Sequence, residues 1–246
     1  MRIVGIDTSS ATASAALVED DQLIVERCHP GSFAGAAGDL AGLKSNHAEI
    51  LLPLIEAVIA EARITLAEVS GIAVAIGPGS FTGLRIGLST VKGLAYGWNT
   101  PVVGVSTLLA QAARVGEFEG VICALLDARK NEVYAALFRK RRQELTRLTE
   151  DFLAPAGSVI DRVRSAVGGL PCLLIGDGAR RYEKLLLDSL DGCARLCADD
   201  SVASCAAAVA RLGMERLRNS ESDDLGQLAP VYLRPSEAEA KASNRV

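Results

Sequence analysis

Apolar and polar positions along the chain follow one order of elements, and that order occurs twice. Short apolar runs bounded by turn residues predict β-strands, and apolar residues spaced three or four apart predict helices. In the first half this pattern predicts three strands, a helix, a strand and a second helix. They fall at residues 2–7, 13–18, 23–28, 46–62, 72–76 and 81–98, followed by a strand at 102–105 and a helix from Thr107.

The second half repeats this order. Asp7 and Asp127 each end the first strand of their half, and an Ala-Ala-Leu triplet follows each aspartate at the same distance. The sequence therefore predicts an α/β protein of two β-β-β-α-β-α halves with mixed sheets, at residues 1–106 and 107–235. The polar residues 236–246 are expected to be disordered. The second-half elements are strands at 121–127, 133–138, 145–152 and 172–175 and helices at 156–167, 179–190 and 202–218.

The helix at 81–98 has an unusual composition. It begins after Gly77-Pro78-Gly79, where proline lacks the backbone N–H, and Ser80 is expected to cap it. Inside a helix each glycine costs about 1 kcal/mol relative to alanine. We therefore expect another backbone to approach this helix closely, either from the same chain or from a partner. The glycines concerned are Gly83, Gly87, Gly93 and Gly97.

The composition is that of an ordinary globular chain. Apolar residues make up 49% of 246 residues and the formal net charge is −4, so the chain lacks a globally basic nucleic-acid surface. The six cysteines form no C-x-x-C pair, and the chain begins with a predicted strand rather than a signal peptide. No apolar run reaches membrane-spanning length. We therefore expect a cytoplasmic protein with reduced thiols and no membrane contact.

Three motifs carry a resemblance to a known family. They are Gly5-Ile6-Asp7-Thr8-Ser9, then Asn46 to Pro53, then the glycine block Gly77 to Gly87 followed by Lys92-Gly93-Leu94-Ala95. Together they resemble the TsaB family of bacterial tRNA threonylcarbamoyladenosine biosynthesis proteins. The duplicated halves with an aspartate after each first strand also resemble the superfamily of actin, hexokinase and the 70-kDa heat-shock ATPases. The resemblance implies a duplicated actin-like, ribonuclease H-like fold.

The resemblance further implies a scaffold rather than an enzyme. It implies pairing with TsaD, joined by the ATPase TsaE, for threonylcarbamoyl transfer to N6 of adenosine 37 in tRNAs reading codons that begin with A. The helices at 47–62 and 81–97 would make the contact with TsaD, and the same surface would form a homodimer when the chain is alone. The chain would contact tRNA only indirectly or weakly. The candidate partner-binding residues are Leu51, Leu54, Ile55, Val58, Gly83, Leu84, Gly87, Thr90 and Leu94.

Neither a catalytic residue nor a metal site is predicted. TsaD carries an H-x-x-x-H pair, in which two histidines on one helix face bind a metal. The comparable positions here are Thr107 and Gln111, and the histidines of the chain are His29 and His47. His47 is followed four residues later by Leu51, so it is expected to be a structural residue of the first helical turn.

The nucleotide cleft of the superfamily is predicted to be vestigial. Close approach of a backbone to phosphates favours glycine, and none follows Asp7 or Asp127 in its turn. ATP or ADP binding by the isolated chain is expected to be weak or absent, with a working cleft as the alternative. The corresponding residues are Asp7, Thr8, Ser9, Asp127, Arg129, Gly176 and Gly178.

Two other functions stay open. A working cleft would suit an ATP-dependent small-molecule kinase of the actin-like superfamily. A peptidase is the third interpretation, although no residue can be nominated as its nucleophile. The basic run at 139–142 is expected either to be a solvated hairpin turn or to contact tRNA phosphates.

Overall fold

A computed structural model describes residues 1–29, 46–198 and 204–234. The predicted tail at 236–246 lies outside this range. The chain divides into two compact units, Met1–Ala110 with Ala203–Pro230 and Gln111–Val202 with Val231–Val246.

The strands are β1 Arg2–Asp7, β2 Ala13–Glu19, β3 Gln22–His29, β4 Gly71–Gly77, β5 Val102–Ser106, β6 Gly120–Asp127, β7 Glu132–Arg141, β8 Glu144–Arg147, β9 Phe152–Pro155, β10 Cys172–Ile175 and β11 Ala194–Leu196. The α-helices are α1 His47–Glu61, α2 Phe81–Trp98, α3 Thr107–Ala113, α4 Val159–Val167, α5 Asp177–Arg181, α6 Glu183–Ser189 and α7 Ala206–Arg218.

The first unit is built on a mixed five-stranded sheet in the order β3-β2-β1-β4-β5. The strands β1, β2 and β3 form an antiparallel meander, whereas β4 and β5 run parallel to β1. Because side chains alternate across a strand, β1 supplies residues to both faces. Val4 and Ile6 pack into one core cluster with apolar residues of α1 and α2, so these helices cover one face.

The opposite face of this sheet is covered by α7. Close contact depends on Gly5, where an added Cβ would lie 2.0 Å from the carbonyl oxygen of Ala206. Val209 and Met214 of α7 are fully buried. The sequence-based boundary assigned residues 203–230 to the second half, and the structure corrects this placement. The physical reason is that α7 supplies the apolar surface that the second face of the first sheet requires.

The second unit contains a mixed six-stranded sheet in the order β11-β10-β6-β7-β8, with β9 also paired to β7. Its helices α4, α5 and α6 bury apolar residues against one face. The predicted strand at 145–152 is instead two strands, β8 and β9, and the predicted helix at 179–190 is two short helices, α5 and α6. The strand β11 has no counterpart in the sequence prediction. The two mixed sheets with their flanking helices confirm the predicted duplicated fold class.

The basic run at 139–142 is only partly a solvated turn. Arg139, Lys140 and Arg141 belong to β7, and Arg139 donates from Nη2 to the carbonyl oxygen of Ala166 at 3.0 Å. Lys140 is 6% exposed, and its burial lowers the pKa of its ammonium group. Only Arg141 and Arg142 are exposed, which reduces the surface that this run offers to phosphates.

Candidate functional site

The corner between β4 and α2 docks onto the turn that follows β1. Strand β4 ends at Gly77, which is joined to Pro78 by a cis peptide bond, and Ser80 caps α2 by accepting from the Gly83 backbone N–H at 3.2 Å. The Ser80 backbone N–H in turn donates to the Ser9 carbonyl oxygen at 2.6 Å. The corner is therefore fixed by its own cap and by the neighbouring turn.

The glycines at the start of α2 face this turn of the same chain. A Cβ added at Gly83 would lie 2.0 Å from the Thr8 carbonyl oxygen, and one added at Gly87 would lie 2.2 Å from Thr8 Oγ1. The Thr8 hydroxyl donates to the Gly83 carbonyl oxygen at 2.8 Å, so the two backbones are hydrogen-bonded as well as close. Gly83 and Gly87 were predicted to face a partner, and the structure corrects this because Thr8 occupies that space.

The glycines of the second half of α2 have a different environment. An added Cβ at Gly93 or at Gly97 would meet no atom of the described residues within 4 Å. Both glycines are exposed, as is Ser89 one turn earlier, and Tyr96 beside them is 87% exposed. The C-terminal half of α2 thus presents a flat stripe of small residues, Ser89, Gly93 and Gly97, which we call the small-residue stripe.

The apolar candidates on the two helices are used inside the first unit. Leu51, Leu54, Ile55, Val58 and Leu84 are each at most 3% exposed. Four of them join the core cluster under the sheet, and their apolar surface is consumed there rather than left for a partner. Thr90 is half-buried, as is Leu94, which packs at the edge of the cluster. The large apolar residue that α1 exposes is Leu52, which is 46% exposed.

The Asp7 turn is closed by contacts within its own unit. Asp7 is 1% exposed, and its Oδ1 accepts from the Ser9 backbone N–H at 2.8 Å. Thr8 and Ser9 are also buried, and the Thr8 hydroxyl and the Ser9 carbonyl oxygen are engaged by α2 and its cap. Asp7 therefore acts as a turn residue here, while the Ser9 hydroxyl is buried with no hydrogen-bond partner in the described part of the chain.

The Asp127 turn in the second unit is similarly occupied. Asp127 Oδ1 accepts from the Arg129 backbone N–H at 3.0 Å, and Oδ2 lies 3.3 Å from Arg181 Nη1 and 3.6 Å from Arg129 Nη1. The Asp127 backbone N–H donates to Asp177 Oδ1 at 2.9 Å. The carboxylate thus already has cationic partners, although both arginines are at least half exposed, which weakens these pairs.

Gly176 and Gly178 lie against the end of β6. Gly176 has a φ of 96° and an added Cβ would lie 2.2 Å from the Leu125 carbonyl oxygen, so a side chain is excluded there on both grounds. At Gly178 the nearest atom would be the Leu126 carbonyl carbon, at 2.9 Å. These glycines therefore allow the start of α5 to pack closely against the end of β6.

The histidine and metal predictions concern three positions. His47 Nε2 lies 3.3 Å from the Ala11 carbonyl oxygen in the first turn of α1. Thr107 Oγ1 and Gln111 Oε1 are both buried, and neither has a hydrogen-bond partner among the residues that the structure describes. Within residues 1–29, 46–198 and 204–234, the structure contains no cluster of three or more residues able to ligate a metal. No helix in this part of the chain combines the length and apolar character needed to cross a bilayer.

Solved structures with the same architecture define the class of protein. A YeaZ protein from Pseudomonas aeruginosa superposes with a TM-score of 0.74 at 26% identity, covering 94% of this chain and 99% of that one. A ROK hexokinase from Thermus thermophilus superposes with a TM-score of 0.54 at 14% identity, covering 89% of this chain and all of that one, and shares the fold alone. The chain therefore has the duplicated fold of these proteins, with two α/β halves of the actin-like type.

The family follows from the sequence comparisons. Residues 42–242 match the family model described as TsaD, tRNA N6-adenosine threonylcarbamoyltransferase. The tRNA threonylcarbamoyladenosine biosynthesis protein TsaB of Bacillus subtilis is 30% identical over 241 residues, covering 98% of this chain and 97% of that protein. The Escherichia coli protein of the same name is 33% identical over 142 residues, covering 57% of this chain and 56% of that protein. The chain belongs to the TsaB family, which confirms the resemblance stated above.

Proposed function

We propose that this chain acts in the formation of threonylcarbamoyladenosine in tRNA as the partner of a TsaD-type transferase. Membership of the TsaB family supports the pathway, and the match to the TsaD model supports a shared fold with the partner. The cytoplasmic location expected from the sequence, the contact with TsaE and the indirect contact with tRNA belong to the same proposal.

We further propose that this subunit does not itself catalyse the transfer. Thr107 and Gln111 occupy the positions of the metal-binding histidine pair that TsaD is expected to carry, and neither is a strong metal ligand. Asp7 and Asp127 are engaged by backbone N–H groups and, for Asp127, by arginines. These contacts support a role for both aspartates in shaping their turns rather than in holding a metal–nucleotide complex.

The observation that carries the partner proposal is the open space at Gly93 and Gly97. Helices pack at separations set by the side chains at the contact, and glycines permit the closest approach. These glycines destabilise α2, and no contact with residues 1–29, 46–198 or 204–234 compensates for that cost. We therefore assign the partner surface to the small-residue stripe of α2 together with Leu52 of α1 and Tyr96. A second copy would use the same surface when TsaD is absent.

The test is co-purification of tagged TsaD with variants of this chain. Gly93→Leu places a branched side chain on the stripe, and we expect it to abolish association while the monomer unfolds at a midpoint no lower than that of the unaltered chain. Gly157→Leu is the matched control, because Gly157 lies in the second unit and also has no atom near an added Cβ. It should bind TsaD normally. Retention of TsaD by both variants would exclude this surface.

A reconstituted tRNA-modification assay tests the proposed function separately from the proposed partner surface. We expect threonylcarbamoyladenosine formation by TsaD to require this chain and to fail with Gly93→Leu. Full activity without the chain would refute the proposed function. The kinase interpretation predicts ATP binding by the isolated chain, which calorimetric titration with ATP and Mg²⁺ measures directly, whereas the scaffold interpretation predicts no binding heat.

A further inference from the structure

The second unit contains a cavity that the proposed function does not use. Its volume is about 430 Å³, and the described residues that line it fall within 111–198, inside one compact unit. It opens beside β10 and β11, between the end of α3 and the segment that leads into β6. This volume lies within the range of small-molecule sites in proteins.

The floor of the cavity is apolar. Leu173 and Ile175 of β10 line it and are buried, at 5% and 3% exposure. They alternate along β10 with Cys172 and Leu174, which belong to the core under α4, α5 and α6. The cavity therefore lies on the sheet face opposite those helices, where it offers an apolar surface to the body of a ligand.

One wall of the cavity carries a guanidinium group held against an aromatic ring. Arg195 is the register partner of Leu173, so it projects from the same face of the sheet as the floor. Its guanidinium carbon lies 5.9 Å from the centroid of the Phe118 ring, at the outer limit of a cation–π contact. Within the described part of the chain Arg195 forms neither an ion pair nor a hydrogen bond, so all its N–H donors are available to an anion.

The remaining polar lining sets the charge and hydrogen bonding of a ligand. Arg114 also lines the cavity, and Glu117 is the carboxylate among the described lining residues, which leaves a net charge of one positive unit. Gln111 lines the cavity, and its Oε1 atom is buried without a hydrogen-bond partner among the described residues. A buried acceptor left unpaired destabilises the fold, so a rotation of this side chain that turns Oε1 into the cavity would let a ligand donor satisfy it.

From these features we infer that the cavity binds a small organic monoanion with a flat apolar body and a hydroxyl group. The anionic group pairs with Arg195, because a guanidinium forms charge-assisted hydrogen bonds with carboxylates. The body lies on Leu173 and Ile175 beside the Phe118 ring, and the hydroxyl donates to Gln111. This ligand site is separate from the small-residue stripe, which lies in the other unit.

The first test is a calorimetric titration of the full chain with 6-hydroxy-2-naphthoate, in which the heat of binding is measured. We expect saturable one-to-one binding, with binding of 2-naphthol, which lacks the carboxylate, weaker by about tenfold. Arg195→Gln should weaken the naphthoate by about tenfold as well, since it removes the charge but keeps the length. Arg162→Gln is the matched control, because Arg162 also stacks on a phenylalanine, Phe152, but does not line the cavity.

The second test locates the ligand. Cys197 lines the cavity, whereas Cys28 lies in the first unit, and both are partly exposed. Peptide mass spectrometry after timed iodoacetamide treatment should show Cys197 protected by the naphthoate and Cys28 unaffected. Lack of saturable binding by a chain with a normal unfolding transition would overturn the proposal. Equal affinity of Arg195→Gln and the unaltered chain, or equal protection of both cysteines, would also overturn it.

Discussion

The contact between Gly87 and Thr8 can be tested by adding a single methyl group. In Gly87→Ala the new Cβ would lie 2.2 Å from Thr8 Oγ1 but 3.4 Å from Thr8 Cβ, so the clash is with the hydroxyl alone. That hydroxyl cannot rotate away freely, because it donates to the buried Gly83 carbonyl oxygen at 2.8 Å. The substitution therefore forces either the helix or the hydrogen bond to move.

The magnitude follows from three opposing contributions. Alanine gains about 1 kcal/mol of helix propensity over glycine. Overpacking a buried contact costs about 1–3 kcal/mol, and leaving the buried Thr8 hydroxyl without its acceptor costs about another 1–3 kcal/mol. The net expectation is a loss of about 1–5 kcal/mol in the free energy of unfolding.

Urea unfolding followed by circular dichroism and by the fluorescence of Trp98 measures this loss. Gly93→Ala is the matched control in the same helix. Because its Cβ enters open space, we expect it to raise the free energy of unfolding by about 1 kcal/mol. Thr8→Ala removes the clashing oxygen, so Gly87→Ala should cost much less in that background than in the unaltered chain. Equal effects of Gly87→Ala in both backgrounds would refute the steric argument.

Three further predictions concern stability. Lys140→Met should stabilise the chain by about 1 kcal/mol at neutral pH, because burial disfavours the ammonium form. In a pH series this gain should begin to shrink as pH rises through the lowered folded-state pKa of Lys140, and it should be gone above the unfolded-state value of 10.5. Burial raises the pKa of Asp223, but hydrogen bonds from Arg216 and the Gly104 backbone hold it below 3.8 overall. The stability that this carboxylate contributes should be present above pH 3.8 and should be lost as pH falls through its lowered folded-state pKa. The acid-unfolding curve of Asp223→Asn should lack this pH-dependent contribution. Met214→Ala, at a fully buried position of α7, should cost about 2–5 kcal/mol in chemical unfolding, and a cost below about 0.5 kcal/mol would contradict the packing of α7 on the first sheet.

The sequence specifies the elements of the first unit well because their periodicity is strong. The predicted helix at 81–98 has the bounds that α2 shows, since Ser80 caps one end and Asn99, with a φ of 51°, closes the other. The prediction is poorer in the second unit. A run such as 145–152 contains enough apolar residues for one strand, but Arg147 pairs with Asp151 across a bend and the pairing with β7 resumes only at Phe152.

The sequence does not predict which neighbour each glycine of α2 faces. Gly83, Gly87, Gly93 and Gly97 have the same local signature, yet the first two lie against Thr8, whereas a Cβ added at the last two would meet no atom of the described residues. Periodicity gives the surface of a helix but does not identify what covers it, because the covering turn is 75 residues away in sequence. The same limitation applies to Asp177, whose bond to the Asp127 backbone spans 50 residues.

The covering of the first sheet by α7 has a consequence for biosynthesis. A ribosome makes residues 1–110 before the second unit and makes α7 after it, so the first sheet emerges with one apolar face uncovered. Residues 111–198, by contrast, emerge as one uninterrupted stretch with their own sheet and core. The unit that is synthesised first is therefore the one that completes its core last, and translation that stops before residue 206 leaves that apolar face open to aggregation.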